Sequence, residues 1–179
     1  MHILIGILTL VGGIAFWVWR TRNAASVARE FIDVADDARA AVRRFGYRRV
    51  AGKHPLDVVE DSRLAAAGIL VAFAKMDGDY TREQMKVIQD ECARVFEASE
   101  KDAEQMTAYG RWLAHQLANP DEVIRRLSRG LAKSISDAQR QELLVMAERV
   151  AAVEDDSPSD EQRLALKRLS ETFAVLQLR

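Results

Sequence analysis

Apolar residues recur three or four positions apart along most of this chain, the spacing of one face of an α-helix. Residues 61–179 show this pattern throughout and lack the alternating β-branched runs of strands, so they predict an all-α body. Leu64–Ala74 is almost entirely apolar and small, which predicts a central helix enclosed on every side. The stripes of the surrounding helices include Met85, Ile88, Cys92 and Val95; Met106, Tyr109, Leu113 and Leu117; Val123, Ile124, Leu127 and Leu131; Leu143, Ala147 and Val150; and Leu166, Leu169 and Phe173.

A self-similarity with a spacing of 78 residues relates residues 72–84 to residues 150–162. In both copies an apolar helix ends at an acid-rich turn, and a capping box opens the next helix. The two boxes are Thr81 with Gln84 and Ser159 with Gln162. Gly78 suits the left-handed conformation that ends many helices. The sequence therefore predicts two helical hairpins, each turning at an acidic corner.

The N-terminal residues 1–22 predict a single-pass transmembrane anchor. Ile3–Trp19 contains 17 uncharged residues, which as a helix would cover roughly 26 Å of the ~30 Å hydrocarbon layer. Arg20 and Arg22 follow the apolar run, and the positive-inside bias then places the C-terminal body in the cytoplasm. The alternative is an N-terminal helix buried in a soluble protein.

Residues 23–60 predict a juxtamembrane amphipathic helix and a linker. An apolar stripe from Val27 to Phe45 has a spacing close to 3.5 residues and would pack on its own domain, on a second copy or on a partner helix. The densest basic cluster in the sequence follows; near a membrane it would attract anionic headgroups, and otherwise it is a solvated face. Its members are Arg43, Arg44, Arg48, Arg49 and Lys53.

Composition excludes several functional classes. With 26 basic and 27 acidic residues the net charge is −1, so the sequence lacks the overall excess of positive charge that is typical of nucleic-acid-binding proteins. The one cysteine, Cys92, excludes a disulfide framework or a cysteine-based zinc site, and its apolar stripe predicts a core position. None of His2, His54 and His115 has a serine or cysteine nucleophile at a recognisable spacing, and no glycine-rich phosphate loop occurs. An enzyme is therefore not expected.

The acidic corners offer candidate oxygen ligands for a divalent cation such as calcium, magnesium or zinc. Hard cations need oxygen-rich sites, although neither loop follows the EF-hand spacing. Acids at helix starts are equally explained by the helix dipole and by the preference of Asp for turns. The candidate ligands are Asp77, Asp79 and Glu83 in the first corner, and Asp155, Asp156 and Glu161 in the second.

These corners make the chain resemble the tellurite-resistance TerB-like domain family over about 61–179. The resemblance lies in Ala74–Gly78 followed by Thr81 and Gln84, and more weakly in Ala152–Asp156 followed by Ser159 and Gln162. It implies an all-α bundle of about seven helices with pseudo-twofold symmetry and cation-binding acidic turns. Gln84 and Gln162 stand where the family often has Glu, and Asp156 stands where it has Gly, which reduces the charge available to a cation.

An anchor followed by a TerB-like domain also resembles the N-terminal part of membrane-anchored DnaJ-like co-chaperones. A J domain needs a His-Pro-Asp turn, whereas this sequence offers His54-Pro55-Leu56 and Asn119-Pro120-Asp121, so Hsp70 stimulation is not expected. The resulting expectation is a scaffold at the cytoplasmic face of a bacterial inner membrane. It would contact membrane lipids and a membrane-associated protein, in envelope or metal stress. The alternative is a cation sensor or sequestering module.

Overall fold

The computed structural model describes Ala41, Arg43, Arg44 and residues 52–78, 80–153 and 157–175, all of which belong to one compact unit. These residues contain a short 3-10 helix, Pro55–Asp57, and no strand. The six α-helices are α1 (Ser62–Ala74), α2 (Arg82–Val95), α3 (Glu100–Ala114), α4 (Pro120–Leu131), α5 (Asp137–Ala151) and α6 (Asp160–Val175). The predicted all-α class is confirmed for this part of the chain.

Helix α1 lies at the centre of the bundle. Every residue from Leu64 to Ala74 is buried, and α1 packs against α2, α3, α4 and α5, while α6 packs against α4 and α5. An amphipathic helix would expose its polar face, so only a helix that is apolar on all sides can be enclosed in this way. The prediction of an enclosed central helix is confirmed.

Helices α1 and α3 cross at unusually short range because of two glycines. A methyl group on Gly110 would lie 2.7 Å from the carbonyl carbon and oxygen of Ala67, and one on Gly68 would lie 2.9 Å from a Leu113 methyl. Real side chains essentially never approach backbone this closely. The absence of a Cβ at these positions therefore sets the distance between the two helix axes.

The starts of α4 and α5 carry side-chain caps of the types that mark helix starts in a sequence. Asn119 accepts a hydrogen bond from the Asp121 amide with Pro120 in the first turn, and Ser136 and Gln139 form a capping box at the start of α5. Such caps satisfy backbone donors that have no partner within the helix. Boundaries read from local capping chemistry agree with the structure because that chemistry needs no distant residue.

One buried charge links α2 to α5. Glu91 is only 8% exposed, and its carboxylate accepts hydrogen bonds from Arg94 at 2.6 Å and from Arg149 at 2.9 Å. Two half-exposed guanidinium groups thus compensate the one buried carboxylate, as a buried charge requires.

The residues before α1 also contribute to the core. Ala41 and Leu56 are both buried members of the main apolar cluster, and the 3-10 helix that carries Leu56 packs on α4. The predicted linker before α1 therefore contains a short 3-10 helix whose leucine lies inside the domain.

Among the described residues no helix combines the length and apolarity of a membrane span. The predicted anchor, residues 1–22, and the amphipathic stripe from Val27 to Phe45 lie outside the described residues, apart from Ala41.

Candidate functional site

The first acidic corner joins α1 to α2. The helix ends at Ala74, and Gly78 has φ +130°, a conformation that favours glycine. The Thr81 hydroxyl then accepts a hydrogen bond from the Gln84 amide at 3.2 Å, and the Gln84 side chain accepts one from the Thr81 amide at 3.0 Å. The predicted capping box is confirmed.

The second corner repeats this chemistry before α6. The Ser159 hydroxyl accepts from the Gln162 amide at 3.1 Å, and the Gln162 side chain accepts from the Ser159 amide at 3.0 Å. Helices α2 and α6 begin at Arg82 and Asp160, which are separated by the 78-residue repeat spacing. The second predicted box is likewise confirmed.

The two corners contact each other. The Ser159 hydroxyl donates a hydrogen bond to a carboxylate oxygen of Asp77 at 2.8 Å. The Gln162 amide donates to the carbonyl oxygen of Phe73, near the end of α1, at 3.4 Å, and Gln162 is only 2% exposed. The start of α6 therefore lies against the end of α1, and the first hairpin meets the second at these turns.

These bonds give the two glutamines a structural role. Each places its side-chain oxygen on a cap amide, and Gln162 also uses its NH2 group as a donor. An ionised glutamate accepts hydrogen bonds but donates none. A glutamate at 162 would lose the bond to Phe73, which explains in physical terms why an amide suits this position.

The predicted cation ligands are only partly described. Asp77, Glu83 and Glu161 are exposed, while Asp79, Asp155 and Asp156 lie outside the described residues. Within the described ranges, no three or more His, Cys, Asp or Glu residues are grouped so that they could hold a metal ion. The six-residue ligand set therefore stays a prediction.

The predicted basic cluster includes one arginine that is engaged with α3. Arg44 forms an ion pair with Asp102 at 2.6 Å and also donates to Gln105. The Ser99 hydroxyl, followed by the charge of Arg44, lowers the pKa of Asp102. Arg43 and Lys53 are exposed, and Arg48 and Arg49 lie outside the described residues.

His54, His115 and Cys92 each contact neighbouring residues in a way that gives them a structural role. His54 caps the 3-10 helix, accepting from the Leu56 amide at 3.3 Å. His115 lies edge-on to the ring of Tyr80, with a ring nitrogen 2.7 Å from the Arg111 carbonyl oxygen. Cys92 is fully buried, and burial raises the pKa of its thiol to about 12. The predicted core position of Cys92 is confirmed.

Two open grooves run between helices on the surface of the bundle. One, of about 600 Å³, lies between α4 and α6; we call it the α4–α6 groove. The other, of about 420 Å³, lies among α1, α2 and α5, and its apolar wall includes Val95, Phe96, Ile135 and Met146. Both combine apolar lining with charged residues at the edge.

The cations along the α4–α6 groove form a surface that sequence reasoning missed. Arg125, Arg129 and Lys133 line this groove and also an adjoining pocket of about 390 Å³. They follow one another at four-residue intervals along α4 and just past its end, so a count of charges at helical spacing could have found them. In the linear sequence, apolar residues that face the core lie between these cations, so the three do not form a continuous basic run.

Comparison with known proteins adds no relative: no protein-family model, curated protein or solved structure matches this chain.

Proposed function

We propose that this protein is a membrane-anchored, TerB-like interaction module whose helical body binds another protein at the cytoplasmic face of a bacterial membrane, in envelope or metal (tellurite) stress. It is proposed to act as a scaffold and not as an enzyme.

The observation that carries this proposal is the pair of open grooves on a rigid bundle. Grooves between packed helices with apolar lining and charged edges are typical docking sites for a helix of a partner. A bundle with an enclosed central helix keeps such grooves in a constant shape, since its core is close-packed.

The membrane location rests on the sequence. The apolar run Ile3–Trp19 followed by Arg20 and Arg22 supports an anchor with the body on the cytoplasmic side. The Ala74–Gly78 motif, with its confirmed capping box, supports the TerB-like assignment and, through the family, a setting in metal or envelope stress.

Fractionation and crosslinking test this function. The full chain and a variant lacking residues 1–22 are expressed at equal levels, and each is crosslinked in intact cells. We expect the full chain in the membrane fraction with a specific crosslinked partner, and the truncated chain in the soluble fraction. Recovery of the truncated chain with the membranes would contradict the anchor, and the absence of any specific partner of either chain would contradict the interaction role.

Divalent-cation binding at the acidic corners is a second candidate function. The Ser159–Asp77 hydrogen bond favours it, because a contact between the two corners is what a shared site would need. The proposed ligands are Asp77, Asp79, Glu83, Asp155, Asp156 and Glu161.

Calorimetric titration with calcium, magnesium and zinc tests this candidate. Binding that is lost in the Asp77→Ala, Asp155→Ala double variant is expected if the corners share a cation. Asp90→Ala with Asp137→Ala is a matched control, because it removes two exposed carboxylates elsewhere. A flat titration, or equal binding by both double variants, would exclude the site.

A further inference from the structure

The α4–α6 groove is long enough for a peptide segment. Its lining runs along α4 from Asp121 to Arg129, continues to Lys133 just beyond the end of that helix, and runs along α6 from Ala165 to Val175. At 1.5 Å per residue the α6 wall is roughly 15 Å long, the length of about ten residues of helix. The groove therefore matches one short amphipathic helix.

The charge along its α4 wall is only partly neutralised. Arg125 pairs with Glu122, and Arg168 on the α6 wall pairs with Asp121 at 2.9 Å. Arg129 and Lys133 have no ion-pair partner within the described part of the chain, and both are exposed. Like charges four residues apart repel each other, and an approaching anion would relieve that repulsion in this row. Its position at the C-terminal end of α4 offsets part of that repulsion through the helix dipole.

The floor of the groove is apolar and recessed. Ile124 is 4% exposed and Leu169 is 1% exposed, whereas Val175 at one end is 59% exposed, more than any other large apolar residue in the described ranges. A flat lipid surface would contact the rim but would not reach this floor. An inserted side chain of a polypeptide would reach it.

We propose that the α4–α6 groove binds an acidic amphipathic helix of a partner protein. Carboxylates of that helix contact Arg129 and Lys133, and its apolar side chains cover the floor and Val175. This inference rests on the proposed interaction function and adds the binding surface and the chemistry of the partner.

A synthetic peptide provides the test. The probe is a fluorescein-labelled twelve-residue peptide of Glu and Leu at helical spacing, and the control peptide has Gln in place of Glu. Binding to the full chain in a non-ionic detergent is measured by fluorescence anisotropy at low and high salt. The groove variant is Arg129→Gln with Lys133→Gln. Its matched control is Arg82→Gln with Lys86→Gln, which removes two exposed cations at the same spacing on α2.

We expect the acidic peptide to bind, with affinity reduced about tenfold in the groove variant and unchanged in the α2 variant. Val175→Ser should also weaken binding, and high salt should weaken it further. Equal affinity for both double variants, or equal affinity for both peptides, would overturn the proposal. Absence of peptide binding would also overturn it. Groove-dependent binding to phosphatidylglycerol vesicles would then identify a lipid surface as the occupant, and groove-dependent self-association in sedimentation would identify a second copy of the chain.

Failure of this inference is distinguishable from failure of the proposed function. If the partner crosslinked in cells is recovered equally with the groove variant, the interaction function stands and the α4–α6 groove is not its site.

Discussion

Ser159 and Asp77 are 82 residues apart in sequence, yet the Ser159 hydroxyl donates a hydrogen bond to the Asp77 carboxylate at 2.8 Å. Both residues belong to the acidic corners of the internal repeat. The same hydroxyl oxygen accepts from the Gln162 amide and so also caps α6. Ser159 therefore both caps α6 and forms a hydrogen bond between the second hairpin and the first.

A double-mutant cycle on Asp77→Ala and Ser159→Ala should reveal a favourable coupling of about 0.5–1.5 kcal/mol, the usual range of an intramolecular hydrogen bond. The free energy of unfolding is measured by urea denaturation. Thr81→Ala is the matched control, because it removes the equivalent cap of the first corner. Within the described part of the chain the Thr81 side chain makes no hydrogen bond to the second corner, so its coupling to Asp77 should be smaller. Additive effects of Asp77→Ala and Ser159→Ala would contradict the contact.

Gly110→Ala should destabilise the fold by about 1–3 kcal/mol or more, because the added methyl would lie 2.7 Å from the Ala67 carbonyl group. The Ala67 backbone cannot move away from the added methyl as easily as the end of a flexible side chain could. Gly130→Ala in α4 is the control, since nothing lies within 4 Å of its added methyl, and it should stabilise by about 0.5–1 kcal/mol. Thermal unfolding of both variants measures the difference; similar melting temperatures would refute the close crossing of α1 and α3.

The Cys92 thiol should be nearly unreactive in the folded protein, because burial raises its pKa to about 12 and only the thiolate attacks thiol reagents. Reaction with a chromogenic disulfide at pH 8 should be slow in buffer and complete in concentrated urea. The urea sample is an internal control, since the chain has this one cysteine. Rapid stoichiometric labelling without denaturant would be inconsistent with the buried position.

Glu122 should remain ionised in acid. Hydrogen bonds from Arg125 first, and then from Arg126, lower its pKa from 4.5 to about 2. A depressed folded-state pKa means that the stabilising interaction is fully present above pH 4.5 and is lost as the pH falls toward 2. Carbon-detected NMR of the side-chain carboxyl should show this low midpoint, with a rise toward 4.5 in Arg125→Gln. A midpoint at the ordinary glutamate value in the unaltered protein would disprove the pairing.

Local features of the fold were predictable wherever the chemistry lies within a few residues. The caps at Thr81, Asn119, Ser136 and Ser159 follow from side chains that bond amides two or three positions away. The burial of α1 follows equally directly, because a segment with no polar face has no favourable position except inside.

The candidate site was only partly predictable. The acidic corners were found from the repeat, but the bond between them was not, because nothing near Ser159 in sequence indicates Asp77 as its partner. The basic row of the α4–α6 groove was also missed, although its four-residue spacing is visible once α4 is known.

Residue order alone therefore determined the helical class, the enclosed helix and the repeated corners, since periodicity and capping act over one or two turns of helix. Which corner contacts which, how closely α1 approaches α3 at Gly110, and which cations share one groove were decided by packing. Those relationships depend on pairs of distant residues, whose proximity arises only when the whole core closes around α1.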